Sequence, residues 1–253
     1  MMGPSFGRLY TAALVGDVVP FCWDVWQPQW EMWARHLRRL RPPAVFATAE
    51  QSARFLAHAL PESRVVHIPE ATRLSLHDPG RPLAARSIGV LELGRRYQKW
   101  HDAVRDAITS PPGHCHLYES RPGQVVFPHE PDLYRAFSNT VISVCFPRSL
   151  THPHVAGDVE TTTQRYFESM ASGCLVLGHA PKELVRLMGY NPVVEVDWTA
   201  PAEQVRDILN APHRWQSHVD EALSRVREVG DWSLRVPEIK ATVEATVREQ
   251  RLR

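Results

Sequence analysis

From about residue 86 onward, short apolar runs rich in β-branched residues alternate with segments whose apolar positions recur at helical spacing. This alternation is typical of a parallel β-sheet with helices packed against its faces. The runs that predict strands cover residues 88–93, 114–118, 125–127, 141–146, 174–177 and 192–196. The segments that predict helices cover residues 98–108, 131–137, 162–172, 182–188, 202–209, 212–228 and 236–253. We therefore predict an α/β unit of about six strands.

The first 76 residues carry a weaker pattern of the same kind. Strands are predicted at residues 18–22, 44–48 and 65–68, and helices at residues 29–40 and 50–60. A turn-rich segment at residues 77–82, with Asp78-Pro79-Gly80 inside it, separates this pattern from the stronger one. We predict a reduced N-terminal α/β unit at residues 1–76, a larger unit at residues 77–230 and a C-terminal helix at residues 231–253.

The helix predicted at residues 162–172 carries signals at both ends. Thr161 and Gln164 fit a capping box, in which a hydroxyl residue is followed three positions later by Glu or Gln. Gly173 stands where a glycine commonly ends a helix. A polar loop at residues 148–158 joins this helix to the strand before it. The helix start is therefore expected near the carboxyl end of a strand.

Composition and charge exclude several classes of protein. The 253 residues suffice for a substantial core, and 43% hydrophobic with 23% charged residues is ordinary for a globular protein. A net charge of +1 gives no overall attraction to nucleic acid or to an anionic membrane. No apolar run approaches the ~18 residues of a spanning helix or the ~7–15 residues of a signal-peptide core. Four scattered cysteines resemble reduced core thiols, so we expect a cytoplasmic protein without disulfides.

Charged side chains follow two of the predicted strands. The cations Arg95, Arg96 and Lys99 come after the first strand of the larger unit. The carboxylates of Glu160 and Glu168 flank the start of the helix described above. Ligands of open α/β sheets bind beyond the carboxyl ends of strands, and helix N-termini there favour phosphates. Cations, a helix start and carboxylates together predict a site for a diphosphate that carries polyols.

One motif resembles that of a known family. Glu160, seven further residues, Glu168, and a helix ending Met-Ala-Ser-Gly173 resemble the motif of the retaining glycosyltransferases of the GT-B fold, often called group 1 glycosyltransferases. Residues 87–96 are similar to the strand and Gly-Arg turn that open the C-terminal domain of that family. Residues 67–71 are similar to its interdomain crossing.

The resemblance implies an α/β protein of GT-B type with a short N-terminal unit. Trp232 to Arg235 resembles the start of the family's terminal helix. Residues 77–230 would form a Rossmann-like domain that binds the nucleotide sugar, and residues 1–76 the acceptor side. The implied reaction moves a sugar from a nucleoside diphosphate sugar to a hydroxyl acceptor, with retention of configuration, no metal and no cofactor.

The resemblance also implies roles for individual residues. Glu160 would contact the transferred sugar and Glu168 the ribose. Arg95 and Lys99 would bind the leaving diphosphate, and Asp24 would face the donor sugar. Further substrate-binding residues would be Thr161, Thr162, Thr163, Arg96, Arg148 and Arg165.

Simpler explanations compete with these roles. Carboxylates near a helix start are favoured by the helix dipole, so Glu160 and Glu168 would also fit as solvated charges. Arg95 would fit an ordinary surface turn, and Asp24 a helix cap. The alternative function is a non-catalytic subunit that keeps the donor-type domain and completes or regulates a partner glycosyltransferase, which the short N-terminal unit favours.

Two pairs of histidines raise a further alternative. His114 and His116 share one face of a predicted strand, and His152 and His154 flank Pro153. A zinc hydrolase would use such residues. No Cys or carboxylate at ligand spacing completes either site in the sequence, so we expect no metal.

A tryptophan-rich helix is the last feature. Trp26, Trp30 and Trp33 recur at helical spacing among arginines, for which a core stripe is the default explanation. A three-stranded unit would nevertheless leave an edge and an apolar face uncovered. We therefore expect a second copy, a partner subunit or the periphery of a membrane to dock on this helix.

Overall fold

The computed structural model describes residues 6–109, 115–121 and 123–251, and it contains two parallel sheets. Strands β1 (Phe21–Cys22), β2 (Ala44–Ala47) and β3 (Arg64–His67) form the smaller sheet in the order β1-β2-β3. The larger sheet contains β4 (Ile88–Glu92), β5 (Cys115–Tyr118), β6 (Thr140–Cys145), β7 (Leu175–Gly178) and β8 (Val194–Glu195), in the order β5-β4-β6-β7-β8. All these pairings are parallel, so the carboxyl ends of each sheet's strands share one edge.

The α-helices connect the strands and cover both sheets. They are α1 (Phe6–Ala13), α2 (Trp30–Leu40), α3 (Glu50–Ala59), α4 (Gln98–Thr109), α5 (Glu130–Ser138), α6 (Arg148–Thr151), α7 (Pro153–Ala156), α8 (Gln164–Ala171), α9 (Lys182–Met188), α10 (Pro201–Asn210), α11 (Gln216–Val229) and α12 (Val236–Arg251). Short 3₁₀ turns lie at Gln27–Gln29, Leu74–Leu76, Leu83–Ala85, Pro212–Trp215 and Trp232–Leu234. Within the described ranges, no helix combines the length and the apolar character needed to cross a bilayer.

Helices cover both faces of the larger sheet, which explains why its inner strands β6 and β7 are buried along their whole length. On one face, Trp100 of α4 and Ile208 of α10 pack with Ile142 of β6. On the other face, Phe167 of α8 packs in a cluster with Val226 of α11. Each large side chain buried in this way contributes roughly 1.5–3 kcal/mol. These two layers fix the edge of the sheet from which the polar loops project.

The tryptophans of the smaller unit are covered by the chain itself. Trp26 and Trp33 are only 2% and 7% exposed. The ring of Phe6 in α1 meets Trp33 edge-on at 4.9 Å, and Trp30 stacks on Phe55 of α3 at 4.7 Å. The prediction that this helix presents a tryptophan docking face is therefore wrong, because α1, which the sequence did not predict, and α3 cover it. The core-stripe explanation is confirmed.

Two predictions between the strands also need correction. Residues 125–127 form no strand, and Val125 is 67% exposed, so the larger sheet has five strands rather than six in the described part of the chain. A run of three apolar residues becomes a strand only where a neighbour pairs with it, and the sequence does not reveal that neighbour. Residues 148–158, predicted as a loop, contain the short helices α6 and α7.

The predicted capping box is wrong, whereas the predicted end of the same helix is confirmed. Helix α8 begins after Thr163, whose side chain makes no capping bond. The hydroxyl of Thr161 instead donates to Glu183 at 3.1 Å, so a long-range contact replaces the local one. Gly173 has φ +65°, and a Cβ there would lie 2.8 Å from the carbonyl oxygen of Pro79. Glycine is therefore required at this turn.

The chain crosses between the two sheets twice, and the crossings are bonded together. Thr72 forms an isolated parallel bridge with Asp231, and its N–H donates to Gly230 at 2.9 Å. Buried Arg235 donates to the carbonyl oxygens of Pro69, at 3.2 Å, and Val229. These bonds hold the start of α12 against the first crossing, and α12 then packs back toward β2.

Candidate functional site

A cleft of about 300 Å³ opens where segments from both units meet. Each lining segment lies at or after the carboxyl end of a strand, or belongs to α8 and its start. This is the usual ligand position in open α/β sheets. The cleft is lined by Asp24, Glu70, Leu93, Gly94, Arg95, Val144, Cys145, Phe146, Thr163, Gln164, Arg165, Tyr166 and Glu168. The structure thus brings together five of the predicted site residues, namely Asp24, Arg95, Thr163, Arg165 and Glu168.

A larger cavity of about 980 Å³ lies elsewhere, beside α2, α3 and α12. Its lining includes Pro43, just before β2, and Ser63, just before β3, so it faces the amino ends of these strands. Parallel sheets bind ligands at the other end. We therefore assign the function to the smaller cleft, where cations and carboxylates converge.

Glu168 is the buried acid of the cleft, with 7% of its surface exposed. Its Oε2 forms an ion pair with Nη1 of Arg165 at 2.8 Å, and its Oε1 accepts a hydrogen bond from the side chain of Gln164 at 2.9 Å. The guanidinium of Arg165 also lies over the ring of Phe137, 5.1 Å from its centre. This burial rules out a solvated surface charge, and the remaining lone pairs of the carboxylate can accept hydrogen bonds from a diol.

Arg95 supplies the positive charge at the rim of the cleft. Gly94 before it has φ +81°, a left-handed conformation that aims the turn after β4 into the cleft opening. The side chain of Arg95 is exposed to solvent. The pKa of Arg95 is nevertheless lowered, mainly because neighbouring groups desolvate the guanidinium and to a smaller extent because of the charge of Arg148. An arginine remains a cation at neutral pH despite such a shift. Arg95 is therefore available to an anionic ligand.

Asp24 lines the cleft together with Arg95, whose pKa its charge raises, and it adopts an unusual backbone conformation. Its φ of +56° lies in the left-handed region, which Asp tolerates better than most residues. The following 3₁₀ turn is capped by Trp26, so the helix-cap explanation for Asp24 does not fit. Strained conformations of this kind cost roughly 1–3 kcal/mol and are concentrated at functional sites.

The carboxylate of Glu70, a residue after β3, lies at the N-terminus of α8. Its Oε2 accepts a hydrogen bond from the backbone N–H of Gln164 at 2.7 Å. Burial raises the pKa of Glu70 to about 7, although this hydrogen bond opposes the shift and Asp24 adds to it. The N-terminal N–H groups of α8 thus already hold one carboxylate in this structure.

Glu183 organises the segment before α8. Its carboxylate accepts hydrogen bonds from the hydroxyl of Thr161, the backbone N–H of Thr162 and, at 3.0 Å, the backbone N–H of Glu50. His67 lies 3.5 Å from Glu183, and burial raises the pKa of Glu183. Thr161 and Thr162 are thus buried and bonded to Glu183, the first through its hydroxyl and the second through its backbone N–H. Only Thr163 of the three threonines lines the cleft.

Glu183→Ala should lower the free energy of unfolding by about 2–3 kcal/mol, because buried donors left without an acceptor cost about 1–3 kcal/mol each. Urea unfolding measures the change, with Glu221→Ala, on the exposed side of α11, as the control. A loss no larger than that of the control would show that Glu183 does not hold this segment.

Glu160 lies beside the cleft rather than in its lining. Its Oε1 is 3.4 Å from Nε2 of His179, whose Nδ1 is 3.0 Å from Glu195. The carbonyl oxygen of His179 accepts a hydrogen bond from Tyr166, which lines the cleft, at 2.7 Å. Glu160 therefore belongs to a carboxylate–imidazole chain at the edge of the site.

Three predicted cations lie outside the cleft lining. Lys99 Nζ lies 4.3 Å from the ring centre of Trp198. Arg96 donates to the side chain of Gln98 and to the carbonyl oxygen of Glu119, at 3.1 Å in both cases. Arg148 lies over the ring of Trp26, 5.1 Å from its centre. Of these three, Arg148 is close enough to influence the pKa of Arg95.

A second group of polar side chains is buried away from the cleft. Oε1 of Glu92 is 2.8 Å from Nδ1 of His101 and 2.7 Å from Nε2 of His116. Burial raises the pKa of Glu92, but the bonds from both imidazoles outweigh this and the net shift is downward. The sequence-based statement that no carboxylate completes a site with His116 is therefore wrong, because Glu92 reaches it from the adjacent strand. His114 lies outside the described residues.

Sequence reasoning missed Glu70, Glu183 and His179. Glu70 lies within the motif at residues 67–71, so the interdomain crossing was the signal that could have identified it. His179 follows the strand β7, and inspection of every strand end would have found it. Glu183 has no local signal, since a Glu in the first turn of a helix is usually explained by the helix dipole.

Comparison with known proteins shows likeness in structure rather than in sequence. No family model matches the chain, and no curated protein matches it. Sucrose-phosphate synthase from Thermosynechococcus elongatus superposes with a TM-score of 0.55 at 17% identity, over 87% of this chain. This chain spans only 62% of the length of that structure.

Two further solved structures cover nearly the whole chain. HepE from Anabaena, in complex with UDP and glucose, has a TM-score of 0.64 at 13% identity, over 95% of this chain and 76% of its own. A glycosyltransferase from Rickettsia africae has a TM-score of 0.61 at 13% identity, over 98% of this chain and 84% of its own. Likeness at this level of identity shows the fold. The chain therefore has the GT-B glycosyltransferase fold.

Proposed function

We propose that this chain is a glycosyltransferase that moves a sugar from a nucleoside diphosphate sugar to a hydroxyl acceptor. The observation that carries the proposal is the cleft, which buried Glu168 and the exposed cation Arg95 line together with the start of α8. A solved structure of the same fold, HepE, is in complex with UDP and glucose. A nucleoside diphosphate sugar carries the diol and the diphosphate that these side chains suit.

The proposed roles follow from the chemistry of each group. Glu168 accepts hydrogen bonds from the ribose hydroxyls and is held in place by Arg165. Arg95 stabilises the charge that develops on the leaving diphosphate, and Asp24 faces the donor sugar. Preorganised cations of this kind act on the transition state more than on the bound donor.

We propose that transfer proceeds with retention and without a metal at the diphosphate. In this reaction the departing phosphate oxygen accepts the proton of the acceptor hydroxyl while that hydroxyl attacks on the same face of the sugar. The chain then supplies positioning and charge stabilisation, and no nucleophilic side chain is needed. Glu160, with His179 beside it, is proposed to contact the transferred sugar at the edge of the cleft.

The non-catalytic alternative has less support. A donor-type subunit would retain the larger unit alone, whereas here Asp24 and Glu70 of the smaller unit complete the cleft. A panel of nucleoside diphosphate sugars, with thermal shift and donor hydrolysis as readouts, separates the two functions. Binding with hydrolysis or transfer supports the enzyme, and binding without either over long incubation supports the subunit.

The pH dependence of donor binding tests the cleft itself. Ionised Glu70 repels an anionic diphosphate at the start of α8, and its pKa of about 7 places protonation between pH 8 and pH 6. Donor affinity should therefore rise about tenfold as the pH falls from 8 to 6. Intact nucleoside diphosphate sugars suit this titration, because they lack the monoester phosphate that itself titrates near pH 6.

Glu70→Gln removes the ionisable group and keeps an acceptor for the N–H of Gln164. In this variant the affinity should be nearly independent of pH and, at pH 8, higher than in the wild type. Calorimetric titration at three pH values measures both. An unchanged pH profile in Glu70→Gln would assign the titration to another group.

We further propose that the acceptor side associates with a second copy, a partner subunit or the periphery of a membrane in the cytoplasm. The residues after α1 support this proposal, because Leu14 and Val15 are 84% and 90% exposed. Adjacent exposed apolar side chains of this kind are commonly covered by a partner.

A further inference from the structure

The most distinctive polar cluster outside the cleft joins three elements of the larger unit. Glu92 ends β4, His101 lies on α4, and His116 lies on the edge strand β5. The side chains of all three are at most 4% exposed. The core of a Rossmann-like unit needs no such group, because apolar residues of the same size would pack there without the cost of burying charge.

The donor atoms of this cluster suit a metal ion. One carboxylate oxygen and two imidazole nitrogens all lie within 4.8 Å of one another. Zinc binds His nitrogen and carboxylate oxygen at about 2.0–2.2 Å, so donors roughly 3–4 Å apart can share one ion. The separations of 2.7 Å and 2.8 Å to Glu92 require only small movements to reach that range.

A hydrogen-bonded network alone leaves the cluster incomplete. Both imidazoles are directed at Oε1 of Glu92, whereas its Oε2 is buried without a hydrogen-bond partner. A buried carboxylate oxygen without a partner is costly and calls for an explanation. A cation between the three side chains would supply that partner, since Oε2 could serve as a further donor atom.

We propose that Glu92, His101 and His116 bind one divalent transition-metal ion of the zinc class. The ion ties the edge strand β5 and the helix α4 to the end of β4, two residues before the Gly94-Arg95 turn. Its role is structural, because the cluster is buried and is not part of the cleft lining. The proposal does not depend on the proposed function, and it involves no metal at the diphosphate.

The test uses the full chain, purified without a histidine tag and without chelators. Elemental analysis should find close to one zinc per chain after dialysis. In chelator-treated protein, added Zn²⁺ should raise the midpoint of thermal unfolding by about 5–10 °C once it exceeds its dissociation constant about 100-fold. X-ray absorption at the zinc edge should show nitrogen and oxygen ligands that include two imidazoles.

Substitutions at the cluster test whether the zinc ion is bound there. His116→Ala and Glu92→Gln should each lose the bound zinc and the thermal shift, whereas His58→Ala, which removes an exposed histidine on α3, should retain both. If His116→Ala fails to fold, Glu92→Gln and the wild-type absorption spectrum decide. The proposal is overturned if the wild type neither retains zinc nor responds to it, or if both cluster variants bind zinc as tightly as the wild type does.

Discussion

Arg95→Ala is expected to lower the rate of sugar transfer by about 100- to 1,000-fold, the usual cost of removing one preorganised donor to developing negative charge. The binding of the donor should weaken much less, because the charge on the leaving diphosphate is largest in the transition state. Single-turnover rates at saturating donor, compared with donor affinity, separate the two effects.

Two matched variants sharpen this prediction. Arg227→Ala removes an exposed arginine of α11, far along the chain from the cleft, and should leave the rate unchanged. Lys99→Ala should cost less than Arg95→Ala, because Lys99 lies on Trp198 outside the cleft lining. A larger loss in Lys99→Ala than in Arg95→Ala would transfer the leaving-group role to Lys99.

Glu168→Gln is expected to weaken nucleoside diphosphate binding by about 10- to 150-fold. Hydrogen bonds to a charged acceptor are worth about 1.5–3 kcal/mol, and a neutral amide loses most of that contribution. The amide keeps the size of the side chain and an oxygen for Gln164, so the start of α8 should remain folded.

Calorimetry with the free nucleoside diphosphate checks the assignment of Glu168 to the ribose. The 2′-deoxy form of the ligand provides the control, since it lacks one hydroxyl of the diol. If Glu168→Gln binds both forms with the same affinity ratio as the wild type, Glu168 does not contact the ribose.

The parts of the fold that were predicted correctly depend on information local to the sequence. Strands β2, β4 and β6 are buried apolar runs, and their boundaries differ from the predicted ones by one residue. Helix α9 begins and ends at the predicted residues because Pro181 and Gly189 flank it. Periodicity and helix-boundary residues suffice in such cases.

The errors in the fold come from long-range contacts. Thr161 looks like a cap but is directed at Glu183, 22 residues later in the chain. The sequence pattern predicts an uncovered tryptophan helix, whereas in the structure Phe6 of α1 packs on it. In both cases a residue distant in the sequence makes the contact, which the local pattern does not reveal.

In the candidate site, too, residues with a local sequence signal could be predicted, and residues placed by long-range contacts could not. Glu168 and Arg95 could be predicted because each follows a strand or lies in a motif of contiguous residues. Glu70 and Glu183 could not, since their positions depend on hydrogen bonds to backbone groups 94 and 21 residues away, respectively. Sequence reasoning therefore identified the charged groups nearest the strand ends but not the carboxylates that hold the start of α8.

The measurement that tests the central claim most directly is calorimetric titration of nucleoside diphosphate sugars into the wild type and Glu168→Gln, followed by analysis of the bound ligand for released sugar. The account predicts that at least one donor binds with one site per chain, that Glu168→Gln weakens its binding at least tenfold, and that the wild type releases or transfers its sugar. Binding of no donor, or equal binding to both proteins, would contradict the account.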